Sequence, residues 1–352
     1  MSGGPISASS ARRSAGVAAA GLLLAACSGS SPGPYSNPYP MPSGPGWRVT
    51  AVTQVAPREG APVVAGRLVW VPDMSGGQVA AVDARSSAVQ RRVRVGDPGV
   101  LLRQGCGTSS VHATPHGSFD IRRCDVPNAI AYDGKSLWLP LNDARVLVRL
   151  DPVSGRNLAT IPLGVEAFGV AAGPTGIWVT DFQHDSVVHF AGNGAEAASI
   201  TNLPPGPSGI AVGSDAIWIA CARAGSIVRV DPSTNKVVAE VPLFKSPLAV
   251  TIAFGSVWVR SEEGDILTRI DPATNAVLAN IPVGAAEGLD GLDQFGVDAT
   301  GLWLGGLQIA HVSATTNTID RKLSIDGEAL DYGAGYLWAV GLIGRLTRVA
   351  VS

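Results

Sequence analysis

From residue 47 onward the chain repeats one pattern of apolar and polar positions. Its clearest copy is Ser208–Glu240: an apolar run around Trp218, an alternating run ending at Val230-Asp231, a Pro-Ser-Thr-Asn turn, and a second alternating run. Period-two alternation bounded by turn-formers marks short, half-buried strands. Aligning the copies on their Trp gives Trp70, Trp138, Trp178, Trp218, Trp258, Trp303 and Trp338, with gaps of 68, 40, 40, 40, 45 and 35 residues. A period near 40 with four strands (a, b, c, d) per unit predicts an all-β chain, a β-propeller with seven four-stranded blades. Strand b carries the Trp between β-branched neighbours, as in Ile217-Trp218-Ile219, which suits a fully buried strand. Strand a is built from small residues (Ala129, Ala131, Gly169, Ala171, Gly209, Ala211), as crowding of seven innermost strands around one axis requires.

The last unit stops after three strands, at Gly327–Ala334, Tyr336–Val340 and Leu346–Ser352. The missing fourth strand is expected at the other end of the repeat, at Trp47–Val55. There it would close the ring and cover an open sheet edge. The c–d turns repeat as Asp151-Pro-Val-Ser-Gly, Asp231-Pro-Ser-Thr-Asn and Asp271-Pro-Ala-Thr-Asn. Pro pre-sets φ at the first corner, and Gly or Asn accepts a positive φ at the end.

The units resemble the YVTN-repeat bacterial propellers and, more loosely, the streptogramin-lyase-like propellers. Runs such as Val257-Trp258-Val259, Ile270-Asp271, Thr274-Asn275 and Ile281-Pro282-Val283-Gly284 carry the resemblance, as does the frame from Leu137-Trp138-Leu139 to Ile161-Pro162-Leu163-Gly164. It covers the body outside 97–125 and concerns structural residues, so it implies the fold far more than an activity. The lyase-like propellers commonly place a Glu three residues after the strand-b Trp and use a metal-dependent His/Glu arrangement. Here that offset holds only Asp73 and Asp181 as acids, with His184 the nearby imidazole.

Residues 1–26 read as an export signal. Arg12-Arg13 supply the positive end and Ala15–Ala26 an apolar segment too short to span a bilayer. Leu24-Ala25-Ala26-Cys27 resembles the lipobox of bacterial lipoproteins, which implies cleavage before Cys27 and its lipidation. Residues 27–46, rich in Pro, Gly and Ser, are expected to form a disordered tether, reaching up to ~60 Å if extended. The folded body, 47–352, would thus be exported and held at the outer face of the membrane, in the cell envelope, as a monomer.

Composition agrees with a β-rich exported domain: 43 Gly, 15% charged residues and a formal charge of −2 in 352 residues. No basic block suits a phosphate backbone, so nucleic acid is not an expected partner, although some YVTN-type relatives bind DNA. The largest departure from the repeat, 97–125, is expected to be a flap over one channel mouth, tied by a Cys106–Cys124 disulfide. Export favours that bond, and closing a loop of this size contributes roughly 3 kcal/mol. Cys221 on strand b is expected to be buried and inert. His189 and His311 fall in a strand-c slot that Arg149, Arg229, Arg269 and Arg348 fill elsewhere, and so are expected to be structural.

In a propeller the d–a and b–c connections share one face, and departures from the repeat collect there. Ten residues before each Trp stand Gly60, Asn128, Phe168, Ser208, Leu248, Asp293 and Glu328, which makes the last two blades acidic at that mouth. Asp73, Asn128, Asp181, His184, Arg223, Arg260, Asp293 and Glu328 are the candidate ligand-binding residues. They imply a small polar pocket with an acidic side, suited to a cation or an amine. No organic cofactor is expected, and a divalent cation is the one inorganic candidate. No nucleophile motif, phosphate loop or Cys-rich metal signature is present. The sequence therefore points to a binding or scaffolding module for a protein, peptide or glycan. A metal-dependent lyase or hydrolase at the channel mouth is the alternative.

Overall fold

The computed structural model describes residues 41–56, 60–73, 76–96, 129–142, 144–243, 246–261, 266–284, 295–341 and 344–352, with Pro127 and the strands 107–114 and 117–123. The described residues contain strands and turns and no helix. Seven antiparallel sheets follow one another along the chain. Six have four strands in sequence order; in the fourth, for example, these are Pro207–Val212, Ile217–Cys221, Ser226–Asp231 and Lys236–Pro242. Innermost strands of neighbouring blades lie side by side around the ring. The chain is a seven-bladed β-propeller.

The seventh blade closes as expected. Strands Ala329–Gly333, Tyr336–Gly341 and Arg345–Val351 come from the C-terminal end, and Trp47–Gln54 adds the outer strand, with Trp47 opposite Val351 and Gln54 opposite Arg345. One boundary differs from expectation. Ser43–Gly44 is not tether but a fifth strand, pairing back on Trp47-Arg48 across a Pro45-Gly46 corner where Gly46 has φ 73°. Gly46 then accepts a hydrogen bond from the Ser352 backbone N–H at 2.9 Å, so both ends of the body are pinned together.

Each interface between blades has its own apolar cluster, and all seven blade Trp side chains are almost wholly buried. The strand-c slot lies directly opposite that Trp: Arg149 faces Trp138, His189 faces Trp178, Arg229 faces Trp218, Arg269 faces Trp258, His311 faces Trp303 and Arg348 faces Trp338. Guanidinium-to-ring distances are 5.1, 5.8 and 4.8 Å for Arg149, Arg229 and Arg269, and His189 stacks on Trp178 at 3.9 Å. These are cation–π and stacking distances. The slot also reaches forward to the next blade's c–d turn. Arg269 donates to Ala314 O and Asn317 Oδ1, Arg348 to Ala84 O and Arg85 O, and His189 Nδ1 meets the Asn235 amide. His189 is therefore structural, and His311, fully buried against Trp303, bonds Asp320 of its own blade.

The c–d turns are held by their leading carboxylates. Asp151 Oδ1 accepts the backbone N–H of Val153 and Ser154, and Asp83 does the same for Arg85 and Ser86. Positive φ falls on Gly155, Asn235 and Asn275, where the turn residues predicted it, and also on Asn317. Cys221 is fully buried, and burial pushes its thiol pKa up to about 12, which leaves it unreactive.

The 97–125 insertion contains an antiparallel hairpin, Gly107–Thr114 with Gly117–Arg123. Cys106 and Cys124 lie outside the described residues, as do Cys27, Asn128 and Asp293.

Candidate functional site

Innermost strands enclose a channel whose described part holds about 270 Å³, walled by small and apolar side chains including Ala129, Ala131, Phe168, Leu248 and Phe295. Ser208, which also lines it, is buried and already bonded to Ala220 O and Pro247 O at 3.1 Å. Polar chemistry lies above it, in the b–c loops.

Asp73 and Asp181, both three residues after a blade Trp, are buried and anchor their own b–c turns. Asp73 Oδ1 accepts Gly76 N–H at 3.0 Å, and Asp181 Oδ1 accepts Gln183 and His184 N–H, each at 3.1 Å. The free oxygen of Asp181, Oδ2, meets His184 Nδ1 at 2.8 Å, while the His184 side chain stays 65% exposed. A buried carboxylate therefore holds an exposed imidazole by its Nδ1, accepting the Nδ1–H.

Arg223, from the next blade's b–c loop, leans onto the same loop. Its Nη2 donates to Phe182 O and to Asp185 Oδ1, both at 2.7 Å, and its guanidinium lies 4.8 Å from the Phe182 ring centroid. Phe182 packs beneath on Phe168, Ala222 and Leu248. Asp185 also accepts Gly206 N–H at 2.8 Å, which ties in the d–a connection. Gly206 has φ 76°, and a Cβ there would meet Arg223 at 2.9 Å, so close approach requires Gly.

Asp181, His184 and Arg223 are thus brought into one network across blades three and four. The other candidates stand apart: Asp73 in blade one, Arg260 buried on strand b of blade five, and Glu328 in blade seven, its backbone N–H bonded to Val340 O. Sequence reasoning missed Asp185, the residue that holds the network together. The same left-handed loop position is Gly77 in blade one, Arg145 in blade two and Gly225 in blade four, so the backbone there did not mark Asp185, whose φ is 50°. Among the described residues no three His, Cys, Asp or Glu side chains converge as a metal-ligand set.

No protein-family model and no curated protein matches the chain. Solved structures do. A streptogramin B lyase is similar with a TM-score of 0.62 and 18% identity over 84% of this chain and 93% of that one. The Myceliophteria thermophila Cps50 (Swd1) propeller domain gives 0.63 and 11% over 86% and 99%, and the Doa1 WD40 propeller domain 0.62 and 11% over 87% and 97%. At these identities the likeness concerns the fold. It embraces a lyase and WD40 domains alike.

Proposed function

We propose that the chain is a lipid-anchored, extracytoplasmic propeller of the YVTN-repeat type, a binding or scaffolding module that holds a protein, peptide or glycan on its d–a/b–c face. The observation that carries this reading is the network of Asp181, His184, Asp185 and Arg223. It joins three connecting segments of that face into fixed donors and acceptors, whereas the opposite face repeats turn after turn. Export and anchoring rest on the lipobox-like Leu24–Cys27 and the Pro/Gly/Ser-rich stretch after it. By their places in the sequence repeat, Asn128, Arg260, Asp293 and Glu328 are the further candidates for this face, with Asp293 and Glu328 as its acidic side. The Cys106–Cys124 bond rests on the sequence alone: the two are the Cys pair close in sequence, at either end of the one large insertion of an exported chain.

One experiment addresses anchor and bond together. Mass spectrometry of the mature protein alkylated without reductant should find Cys27 acylated and Cys106 and Cys124 unlabelled. In fractionated cells Cys27→Ser should move the protein out of the membrane fraction. A Cys27→Ser variant that stays with the membrane would remove the lipid anchor, and labelled Cys106 would remove the disulfide.

The lyase-like alternative is favoured by one feature, the oriented imidazole of His184 backed by Asp181. It requires a cation at that mouth. Thermal unfolding in EDTA and then in Mg²⁺, Ca²⁺, Mn²⁺ or Zn²⁺ tests it: an ion at a hundred times its Kd should add about 2.7 kcal/mol. A midpoint unmoved by every ion, or moved equally in His184→Ala, would set the alternative aside.

A further inference from the structure

We infer that the outer rim of blades six, seven and one is a membrane-docking surface, which lays the anchored ring edge-on against anionic phospholipid headgroups. The inference rests on the lipid-anchor reading and adds how the folded body meets its membrane. The whole chain has a formal charge of −2. The fourth strands of the blades do not share that balance. Thr318–Leu323, Trp47–Gln54 and Val89–Arg94 carry net charges of +1, +1 and +3. Those of blades two to five, Asn157–Pro162, Glu196–Ile200, Lys236–Pro242 and Val277–Pro282, carry 0, −1, 0 and 0. The three basic strands belong to consecutive blades and are joined at their flanks. Arg321 Nη1 donates to Ser352 O at 3.0 Å, and Thr53 Oγ1 to Ser87 O at 2.6 Å.

These charges face outward and are uncompensated. Arg48, Arg91, Arg92, Arg94 and Lys322 are exposed, and among the described residues none pairs with a carboxylate. Arg91 and Arg92 donate to the backbone carbonyls of Ser154 and Val55, which leaves their charge standing. The one carboxylate in the three strands, Asp320, is bonded to His311 Nδ1 at 2.6 Å. Arg67, Arg145 and Arg223, by contrast, each hold a carboxylate. The chain has no basic block because ring closure assembles this arc from both ends of the body, Arg48 from one and Lys322 from the other.

The place where the tether joins selects the occupant. Ser43–Gly44 pairs on the outer edge of Trp47–Gln54, with Ser43 opposite Arg48, so the chain leading back to Cys27 departs from the middle of the basic arc. A tether alone leaves the ring free to tilt. Each arginine or lysine brought to an anionic surface adds attraction, and the near-neutral rim of blades two to five adds none, so the basic arc turns toward the headgroups. Bulges turn these strands away from pairing with another strand. What the rim offers is therefore charge, which suits a broad array of phosphates.

Fluorescence quenching tests this with the mature, acylated chain in vesicles of phosphatidylcholine alone or of phosphatidylcholine mixed with phosphatidylglycerol, each doped with a nitroxide-headgroup lipid. The dye is carried on Gln90→Cys in the basic arc or on Ala197→Cys in blade three, both exposed bulge positions. In mixed vesicles at low salt, quenching at Gln90→Cys should exceed that at Ala197→Cys about threefold. The contrast should vanish in phosphatidylcholine alone and in about 0.5 M NaCl, which screens all but the nearest charges. It should vanish too in the triple variant Arg48→Gln, Arg94→Gln, Lys322→Gln, which alters exposed side chains. Equal quenching at the two positions in mixed vesicles would overturn the inference, as would a contrast that survives salt and the triple variant. Flotation of the same samples reports on the anchor separately. A chain that fails to float with phosphatidylcholine vesicles removes the anchor reading. If it then floats with mixed vesicles at low salt, and the triple variant does not, the docking rim stands without the anchor; if it floats with neither, both fall.

Discussion

Asp331 stands on the innermost strand of the seventh blade, directly opposite Trp338. Other blades place Val63, Ala131, Ala171, Ala211, Thr251 and Gly296 there. Its carboxylate bridges to the first blade, accepting Val64 N–H at 2.7 Å, and also accepts Tyr332 N–H at 2.8 Å. Desolvation outweighs both bonds and raises its pKa from 3.8 to about 7. A carboxyl raised in the folded state favours folding most below its unfolded pKa, and that advantage is lost as pH climbs toward 7. Asp83, Asp151, Asp231 and Asp271 have the opposite sign. Hydrogen bonds from turn N–H groups and hydroxyls hold them below 3.8, led by Ser86 N–H for Asp83 and the Ser233 hydroxyl for Asp231, so their contribution is lost as pH falls below about 4. The midpoint of unfolding should thus be highest between these limits and decline from pH 5 to 7. In Asp331→Asn the decline from 5 to 7 should flatten while the acid limb remains. An unaltered slope in that variant would show that another group titrates. A carboxylate in a slot of small and apolar residues was visible in the sequence; that it reaches across to Val64 depends on ring closure and was not.

Every blade carries a β-bulge on its outer strand at the same place, just beyond the residue opposite the strand-c slot. The residues left unpaired are Thr50, Gln90, Leu158, Ala197, Val238, Leu278 and Asp320. Bulges twist an edge away from recruiting another strand. That explains why Leu158, Val238 and Leu278 are 40%, 55% and 54% exposed without forming part of any core. In two blades the bulged side chain turns inward instead: Asp320 bonds His311 Nδ1 at 2.6 Å, and Thr50 Oγ1 accepts from Arg348 Nε at 2.8 Å. Arg269→Ala should therefore cost about 2 kcal/mol, since it frees a part-buried carbonyl and amide in the following blade, whereas Leu278→Lys should stay within about 0.5 kcal/mol. Chemical denaturation measures both, and equal losses would mean the strand-c slot does no more than the bulge. Blade count, strand order and this slot were legible because the Trp spacing repeats them. The bulges were not, because an extra residue within an alternating run leaves composition unchanged. Asp185 with Arg223 was hidden for a different reason: 38 residues separate them, and only the packing of successive blades makes them neighbours.

Around the ring, covalent continuity fails at one point, where the strand Trp47–Gln54 meets the strand Arg345–Val351. Strand Trp47–Gln54 covers Arg345–Val351 along its length, the Ser352 N–H closes on Gly46 O, and Asp331 joins blade seven to blade one. Each blade core is shared with its neighbour, so an opening here removes half of the support of both flanking blades. Trp47 and Val49 belong to the cluster around Trp303 and Leu337, and Val55 to the one around Trp338. A chain starting at residue 56 would expose an unpaired edge together with that apolar surface, and it should aggregate or melt well below the intact chain. A synthetic peptide spanning 41–56, supplied in trans, should restore solubility and raise the midpoint in proportion to its concentration, because ligand binding to the native state stabilises by mass action. A peptide with Trp47 and Val49 both replaced by Asp, which keeps its backbone donors but loses its buried face, should not. If the truncated chain were as stable as the full one, ring closure would have to come from contacts between innermost strands alone. If both peptides rescued it equally, backbone pairing would be the whole of the closure and the buried Trp47 incidental to it.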